Sequence, residues 1–345
     1  MDTGARIFVA GHRGLVGSAL ARRLRASGHE NLLLRTHAEL DLTDPAAVAE
    51  FFARHKPEYV FLAAAKVGGI HANAAFPADF IRINLLIQTN VLHQAFLHGV
   101  RRLLFLGSSC IYPRECPQPM REEHLLSGPL EPTNSAYALA KIAGIEACWA
   151  YNRQHGARFL PVMPTNLYGL HDNYDLLNSH VLPALLRKFH LARLVRAGDM
   201  EAVAADERRF GPIPDDLRVS LGLPPHPARE AEAVVWGSGT PVREFLHADD
   251  LADACVFLME RYEGDWDRPL VNIGTGRGRT IRELAELVAR VTGCDGPVRF
   301  DPSRPDGTPV KILDVSRITA LGWSPRIELE QGLRGVYAAY LGGNP

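Results

Sequence analysis

The sequence predicts an α/β fold, a doubly wound parallel sheet with a smaller C-terminal lobe, on three observations. Short apolar runs alternate with longer periodic ones up to about residue 165, a glycine-rich turn joins the first of each, and beyond that point the alternation becomes irregular. Strict alternation of this kind is the mark of β-α units feeding a parallel sheet. With 345 residues and 46% apolar content, the chain can bury one large or two modest cores without metals or disulfides.

The elements follow in order. RIFVA reads as a first strand and GLVGSALARRLRAS as the helix after it; NLLLR and YVFLAAA are further strands. A long helical stretch runs from Pro77 to His98, LLFLGSS is a buried strand, and a helix extends from about Ser135 to His155. RFLPVMPTNLYG supplies another strand and its exit loop, after which VVWGSG, EFLHADD, VNIGTG and VRFDPS are short strands between helices. The expected organisation is residues 1–166 as the parallel-sheet domain, rejoined by segments around 233–275, and 167–345 as a discontinuous lobe with 191–232 as an insertion. Residues 191–232 mix acids and bases with PIPDD and LPPHP, which predicts an inserted, mobile segment.

Charge and composition exclude several function classes. The formal net charge is −1 with acids and bases interspersed, so neither nucleic acid nor an anionic membrane is an expected partner. No apolar stretch approaches the ~20 residues a bilayer requires, and no secretory-type apolar segment opens the sequence. The five cysteines, Cys110, Cys116, Cys148, Cys255 and Cys294, are odd in number and not in CxxC pairs, which suits a reducing cytoplasm.

GHRGLVG, residues 11–17, lies between the first strand and the first helix. Gly11, Gly14 and Gly17 permit a tight turn and close backbone approach, so that a pyrophosphate can rest on free N–H groups at the helix N-terminus. The spacing is GxxGxxG, and its strand–turn–helix context makes it a dinucleotide site and the fold Rossmann-like. The second strand ends on Arg35, where an NAD site ends on an acidic residue, and Arg13 sits inside the glycine loop. Two guanidiniums suit a 2′-phosphate, so the expected cofactor is NADP(H).

A second constellation is Ser108, Tyr137 and Lys141, the last two within YALAK. Residues four apart share a helix face, so the ammonium can stabilise a phenolate and let the tyrosine exchange a proton near neutral pH. Ser108, at the end of a strand, can hold a substrate carbonyl. Two residues on, Cys110 in GSSCIYP raises the question of what a thiol does where a buried strand surfaces.

At these motifs the chain resembles the extended short-chain dehydrogenase/reductases, and among them the 3,5-epimerase/4-reductases of GDP-linked 4-keto-6-deoxy sugars. The likeness is carried by AGHRGLVGSAL, LAAAKVGGI, FLGSSCIYP, EPTNSAYALAKIAGIE, PVMPTNLYG, NSHVLPALLRKFH, VWGSGTPVREFLHADD and RPDGTP. It implies a Rossmann-like doubly wound parallel sheet with a smaller C-terminal substrate-binding lobe, and a homodimer. It also implies NADPH-dependent epimerisation at C3 and C5 of GDP-4-dehydro-6-deoxy-D-mannose, followed by reduction at C4. The resemblance places an epimerising acid/base pair on Cys110 and His180. A 4-ketone acidifies the hydrogens on C3 and C5, so one group can remove a proton and another return it to the opposite face. His180 follows Asn178 and Ser179, either of which is expected to cap the next helix, putting the imidazole at a positive helix end.

The cofactor set implied by the resemblance begins with Gly11, Arg13, Gly14, Leu15, Val16 and Gly17 in the first turn and Arg35 and Asp41 beyond the second strand. It continues through Ala63 and Ala65, Leu106 and Gly107, Lys141, then Pro164, Asn166, Leu167 and His180. Substrate contacts are expected from Ser108, Lys188, Trp236, Arg243 and Arg304, with cations for the diphosphate and an indole face for stacking. Three departures stand out. His37 occupies a place where family members often carry another arginine, Gly278 one where an aspartate often contacts substrate, and Leu170 one usually held by proline. They imply a looser 2′-phosphate clamp and one missing substrate contact. Alternative expectations are the same chemistry on another GDP-linked 4-keto sugar, a heptose or dideoxy sugar, and a non-catalytic NADP-binding protein.

Overall fold

The computed structural model describes residues 1–225, 231–296, 298–303 and 306–342. In chain order the strands are β1 (Ile7–Ala10), β2 (Leu32–Leu33), β3 (Tyr59–Leu62), β4 (Arg102–Leu106), β5 (Phe159–Pro164), β6 (Asn166–Tyr168), β7 (Ala233–Trp236), β8 (Val242–His247), β9 (Val271–Ile273), β10 (Gly278–Thr280), β11 (Val298–Asp301) and β12 (Val310–Lys311). The helices are α1 (Leu15–Ala26), α2 (Pro45–His55), α3 (Ile70–Ala75), α4 (Pro77–Leu97), α5 (Ser135–His155), α6 (Val181–Arg196), α7 (Met200–Phe210), α8 (Asp215–Leu221), α9 (Ala248–Arg261), α10 (Ile281–Thr292), α11 (Ser316–Ala320) and α12 (Leu329–Leu341).

The main sheet has the order β2-β1-β3-β4-β5-β9 and is parallel throughout. Alternate residues of β1 explain the layering. Ile7 and Val9 enter a core shared with Leu20 and Leu24 of α1 and Leu251 and Val256 of α9. Phe8 and Ala10 enter the opposite core, with Phe51 and Phe52 of α2, Val91 of α4 and Ile145 of α5. Both sheet faces are therefore covered, as the near-continuous apolar strands require. Local signals set the helix ends. Asp44 caps α2 by accepting from the Ala46 and Ala47 N–H groups, with Pro45 behind it, and α5 stops where Gly156 adopts φ 67°.

Strand order reverses between β1 and β3, leaving a crevice beyond their carboxyl ends where ligands bind in such sheets. Of the segments expected to rejoin the sheet, β9 does so beside β5, while β7 pairs with β11 instead. β8 centres a small separate sheet with β10, β12 and β6. A third core lies in the second half of the chain, where Leu185 and Phe189 of α6 meet Val203, Leu217, Leu284 and Leu333. No helix among the described residues is long and apolar enough to cross a membrane.

Of the segment 191–232, expected as an inserted, mobile stretch, residues 226–230 lie outside the described residues, and the rest is largely helical. Residues 191–196 finish α6, and α7 and α8 follow, packing Val203, Ile213, Leu217, Leu221 and Leu223 into the third core. The mixed charges are the outer faces of short helices, and Pro214 stands immediately before α8 rather than in a long loop. Arg187 of α6 is fully buried and pairs with Asp206 of α7 at 2.8 Å, while the Tyr340 hydroxyl donates to the same carboxylate. The guanidinium also donates to the Tyr174 and Phe210 carbonyls at 3.1 and 2.9 Å. Removing one member of such a pair leaves an uncompensated buried charge. Asp206→Ala is accordingly expected to cost about 3 to 5 kcal/mol in urea unfolding; an unchanged midpoint would show that the pair does not hold α7.

Candidate active site

The glycine turn is shaped by close approach. Gly11 has φ 84°, and a Cβ there would lie 2.9 Å from Cα of Ala64, so the loops after β1 and β3 touch at the switch point. A Cβ on Gly17 would lie 2.1 Å from the Gly11 carbonyl oxygen, so only glycine lets α1 close onto the turn. Gly14 is the N-cap of α1, no described side chain caps it, and the first turn holds no acid, which leaves its N–H groups directed at the crevice. A cradle that Cβ atoms would fill, at an uncapped helix start, fits a pyrophosphate. Leu15 and Val16 open α1, and Leu15 packs near Gly169 and Ala248.

Arg35 follows β2, donates to its neighbouring Leu34 carbonyl at 2.8 Å and lies 5.9 Å from the Phe51 ring centre. Arg13 is exposed in the turn, and both cations lie close enough to Glu39 to help hold its carboxyl below the usual range, after the hydrogen bonds from Thr36. His12, between the glycines, is pushed below the usual histidine range by burial and then by Arg13. His37 turns to Asp41 at 3.8 Å, and Asp41 accepts from the Thr43 N–H and hydroxyl at 2.8 and 2.7 Å, so both side chains are engaged locally. Ala63 donates its N–H to the Ala10 carbonyl, and Ala65 continues that loop. A Cβ on Gly107 would lie 2.2 Å from Cε of Met163. Pro164 ends β5, Asn166 donates to the Glu244 carbonyl at 3.0 Å, and Leu167 pairs with Leu246.

Ser108, Cys110, Tyr137 and Lys141 converge at the carboxyl end of β4, and His180 is joined to them through Lys311. The extended backbone of Ser108 leads into a 3₁₀ turn, Ser109–Ile111, whose Cys110 N–H donates to Ser108 Oγ at 3.2 Å. This turn answers why a thiol stands where the strand surfaces: it brings Cys110 back beside Ser108. Tyr137 and Lys141 lie one turn apart on α5, with Lys141 Nζ 5.9 Å from the tyrosine ring centre. The ammonium is buried, donates to the Leu106 carbonyl at 2.8 Å, and is pulled down by burial to a pKa of about 8. Burial and the neighbouring Cys110 raise the Tyr137 phenol, opposed by a hydrogen bond with Ser108. Burial also pushes the Cys110 thiol up, but Lys311, Ser108 and Arg243 outweigh it and leave the thiol below its ordinary value.

His180 is itself the N-cap of α6, which corrects the expectation that Asn178 or Ser179 caps that helix. Although the residue as a whole is exposed, desolvation by the protein around the imidazole and then the Lys311 charge hold it below the usual histidine range. The KVGGI stretch sets its place. Asn84 fixes the loop by exchanging hydrogen bonds with the Lys66 N–H and carbonyl, both at 3.0 Å. Gly69 donates to the Asn178 carbonyl at 2.9 Å, and a Cβ on Gly69 would lie 2.7 Å from the Ser179 carbonyl oxygen.

Lys188 lies two turns along α6, buried, with Nζ 3.3 Å from the Val234 carbonyl and 4.5 Å from the Trp236 ring centre. Arg243 of β8 donates to the Val242 carbonyl and has Asp306 nearby. Arg304 lies outside the described residues. Gly278 has a packing reason, since a Cβ there would lie 2.5 Å from Cγ1 of Val242 and 2.6 Å from Cδ1 of Ile312. Sequence reasoning missed three residues here. Lys311 donates to Cys110 Sγ at 3.3 Å, Glu244 is a buried carboxylate linking loops of both sheets, and Asp306 accepts from the Ser238 N–H and hydroxyl. The RPDGTP motif stops two residues short of Lys311, and only strand pairing brings that lysine to the site. No group of described residues has the makings of a metal site.

The arrangement joins a glycine cradle that fits a pyrophosphate, a tyrosine–lysine–serine cluster, and a thiol and an imidazole that can each exchange a proton. The model of the NAD dependent epimerase/dehydratase family matches residues 7–206 and 219–274. The chain belongs to that family. It is 54% identical over 340 residues to GDP-L-fucose synthase 1 of Arabidopsis thaliana, covering 99% of this chain and 94% of that one. It is 50% identical to GDP-L-fucose synthase of Escherichia coli (strain K12), covering 97% and 96%. A solved structure of a GDP-mannoheptose C4 reductase from Campylobacter jejuni with NADP bound superposes with a TM-score of 0.85 at 39% identity, covering 99% of each chain. The resemblance read from the motifs is borne out at the level of family and fold.

The Gly69 contact yields a direct check. Gly69→Ala forces the 178–180 backbone to move. A displacement approaching 1 Å costs on the order of 10²-fold in rate, so turnover should fall by about that much while dinucleotide affinity, measured by fluorescence titration, stays near wild type. Full turnover in the variant would show that the glycine does not position His180.

Proposed function

We propose that this protein is an NADPH-dependent 3,5-epimerase/4-reductase that converts GDP-4-dehydro-6-deoxy-D-mannose to GDP-L-fucose. The observation that carries the reading is the gathering of Cys110 and Tyr137 around one Ser108 hydroxyl, with the Lys311 ammonium acting on both Cys110 and His180. The names of relatives at 54% and 50% identity agree with it.

The steps follow from the chemistry of a 4-ketone. Ser108 and Tyr137 hydroxyls offer hydrogen bonds to the C4 oxygen, where negative charge develops whenever a neighbouring C–H is broken. Cys110 and His180 then remove and return the protons at C3 and C5 from opposite faces, and inversion follows. NADPH, when bound, supplies hydride to C4. Tyr137 gives its proton to the resulting alkoxide, and the Lys141 ammonium lowers the cost of the phenolate left behind. For the cofactor, Arg13 and Arg35 suit a 2′-phosphate, while Gly11, Gly14 and Gly17 admit the pyrophosphate. Lys188, Trp236 and Arg243 form the side of the cleft assigned to the GDP moiety, with cations for its diphosphate. A cytoplasmic homodimer belongs to the same proposal: the described cysteines are all free, and α4 and α5 expose Leu97 and Leu139 for a partner.

The 39%-identical heptose C4 reductase supports a second reading, reduction of a related GDP-linked 4-keto sugar, and product analysis separates the two. Incubation with GDP-4-dehydro-6-deoxy-D-mannose and NADPH should give a 4-hydroxy sugar inverted at C3 and C5 by NMR. Tyr137→Phe should slow NADPH consumption by roughly 10²- to 10⁴-fold while still binding the cofactor. A product reduced at C4 with C3 and C5 unchanged, or a variant of near wild-type rate, would contradict the assignment.

A further inference from the structure

We propose that Lys311 is a positioning residue of this site: its ammonium, 3.3 Å from Cys110 Sγ, orients the sulfur and stabilises its ionised form. The inference rests on the reading of Cys110 as a proton carrier and deepens it. Strand pairing explains how the lysine arrives. Lys311 of β12 lies opposite Arg243 of β8, and Arg279 of β10 lies opposite the same arginine from the other side. Three cations thus stand in one row across three adjacent strands. Like charges directly opposite one another destabilise a sheet unless negative charge faces them. At the Lys311 end of the row the facing atom is the Cys110 sulfur. A thiol accepts a hydrogen bond weakly, whereas a thiolate accepts one from an ammonium strongly, so this contact gains most of its strength when Cys110 ionises.

The other groups facing Cys110 leave Lys311 the principal source of that bias. Ser108 presents a hydroxyl from the turn, Tyr137 of α5 raises its own phenol against a sulfur charge, and Arg243 of β8 acts in the same sense as Lys311 but more weakly. At the start of α6, His180 experiences the same ammonium, which favours its neutral form. One lysine therefore prepares both proton carriers. In each transfer the C–H bond breaks, an S–H or N–H bond forms, and the electron pair moves to the C4 oxygen, to return when carbon is protonated on the other face. A thiol left to burial alone would titrate far above neutral pH and serve such transfers poorly.

The test reads the sulfur without any sugar present. The pH dependence of Cys110 alkylation by iodoacetamide is followed peptide by peptide by mass spectrometry in wild type, Lys311→Met, Lys311→Gln and Lys311→Arg. Loss of a cation within about 4 Å should raise the midpoint by roughly 1 to 3 units in the two neutral variants. Lys311→Arg should stay near wild type. With the 4-keto sugar in deuterated water, the pH profile of exchange at C3 and C5 should move upward with the thiol. Folded neutral variants with the wild-type midpoint, or an Lys311→Arg midpoint raised as far as theirs, would overturn the proposal. If the midpoint rises but Cys110→Ser exchanges deuterium at the wild-type rate, the coupling stands and the reading of Cys110 as a proton carrier fails.

Discussion

The buried carboxylate of Glu244 is the joint on which the cleft depends. It is shielded from solvent in β8 and accepts from the Thr275, Gly276 and Leu313 N–H groups, the last two at 2.8 Å. Its backbone carbonyl accepts from Thr165 and Asn166 at 3.3 and 3.0 Å. One residue therefore ties the exits of β5 and β9, in the main sheet, to β8 and β12 of the small sheet. Burial raises this carboxyl, but the backbone donors oppose the rise, as for any charge held by several N–H groups. Gly274 belongs to the same joint: a Cβ there would lie 2.1 Å from Oε1 of Glu244. Arg243 is the next residue along β8 and Lys311 lies two before Leu313, so fixing Glu244 fixes two cations of the cleft.

The electrostatics of the cleft follow from which groups are tied down. Lys141 spends one hydrogen bond on the Leu106 carbonyl, so its ammonium is anchored at the end of β4 beneath the tyrosine. Buried to a pKa of about 8, it gives up its proton more readily than a surface lysine, which suits a group that backs a tyrosine through changes of charge. Lys311 acts on the thiol and imidazole, and Lys188 with Arg243 supplies positive charge further along the cleft. Positive charge is thus distributed along the cleft, although the chain as a whole carries a net charge of only −1. Net charge is no guide to a site whose cations are placed one at a time on separate elements.

Much of this was legible in the sequence because the signals are local. The span of α5, Ser135–His155, and the strand–turn–helix around Gly11, Gly14 and Gly17 rest on contiguous residues, and the structure has them as read. The helices at 200–210 and 215–221 were not legible because loop-like prolines and mixed charges also suit short helices whose stability comes from tertiary burial, here of Arg187 with Asp206. Glu244 resembles an ordinary strand residue in VREFLH; its importance exists only once β9 and β12 arrive beside it. Lys311 was hidden for the same reason, being 201 residues from the sulfur it meets. The role of KVGGI was missed because glycines report close approach without naming what approaches, which proved to be the backbone before His180.

The central claim is that one pocket moves protons at two carbons independently of hydride transfer to a third. The most direct measurement supplies NADP⁺ in place of NADPH and incubates the protein with GDP-4-dehydro-6-deoxy-D-mannose in deuterated water, following the sugar by NMR. The account predicts deuterium at both C3 and C5 of a sugar that keeps its 4-ketone, with no change in the cofactor. Absence of deuterium from both carbons until NADPH is supplied and consumed would contradict it.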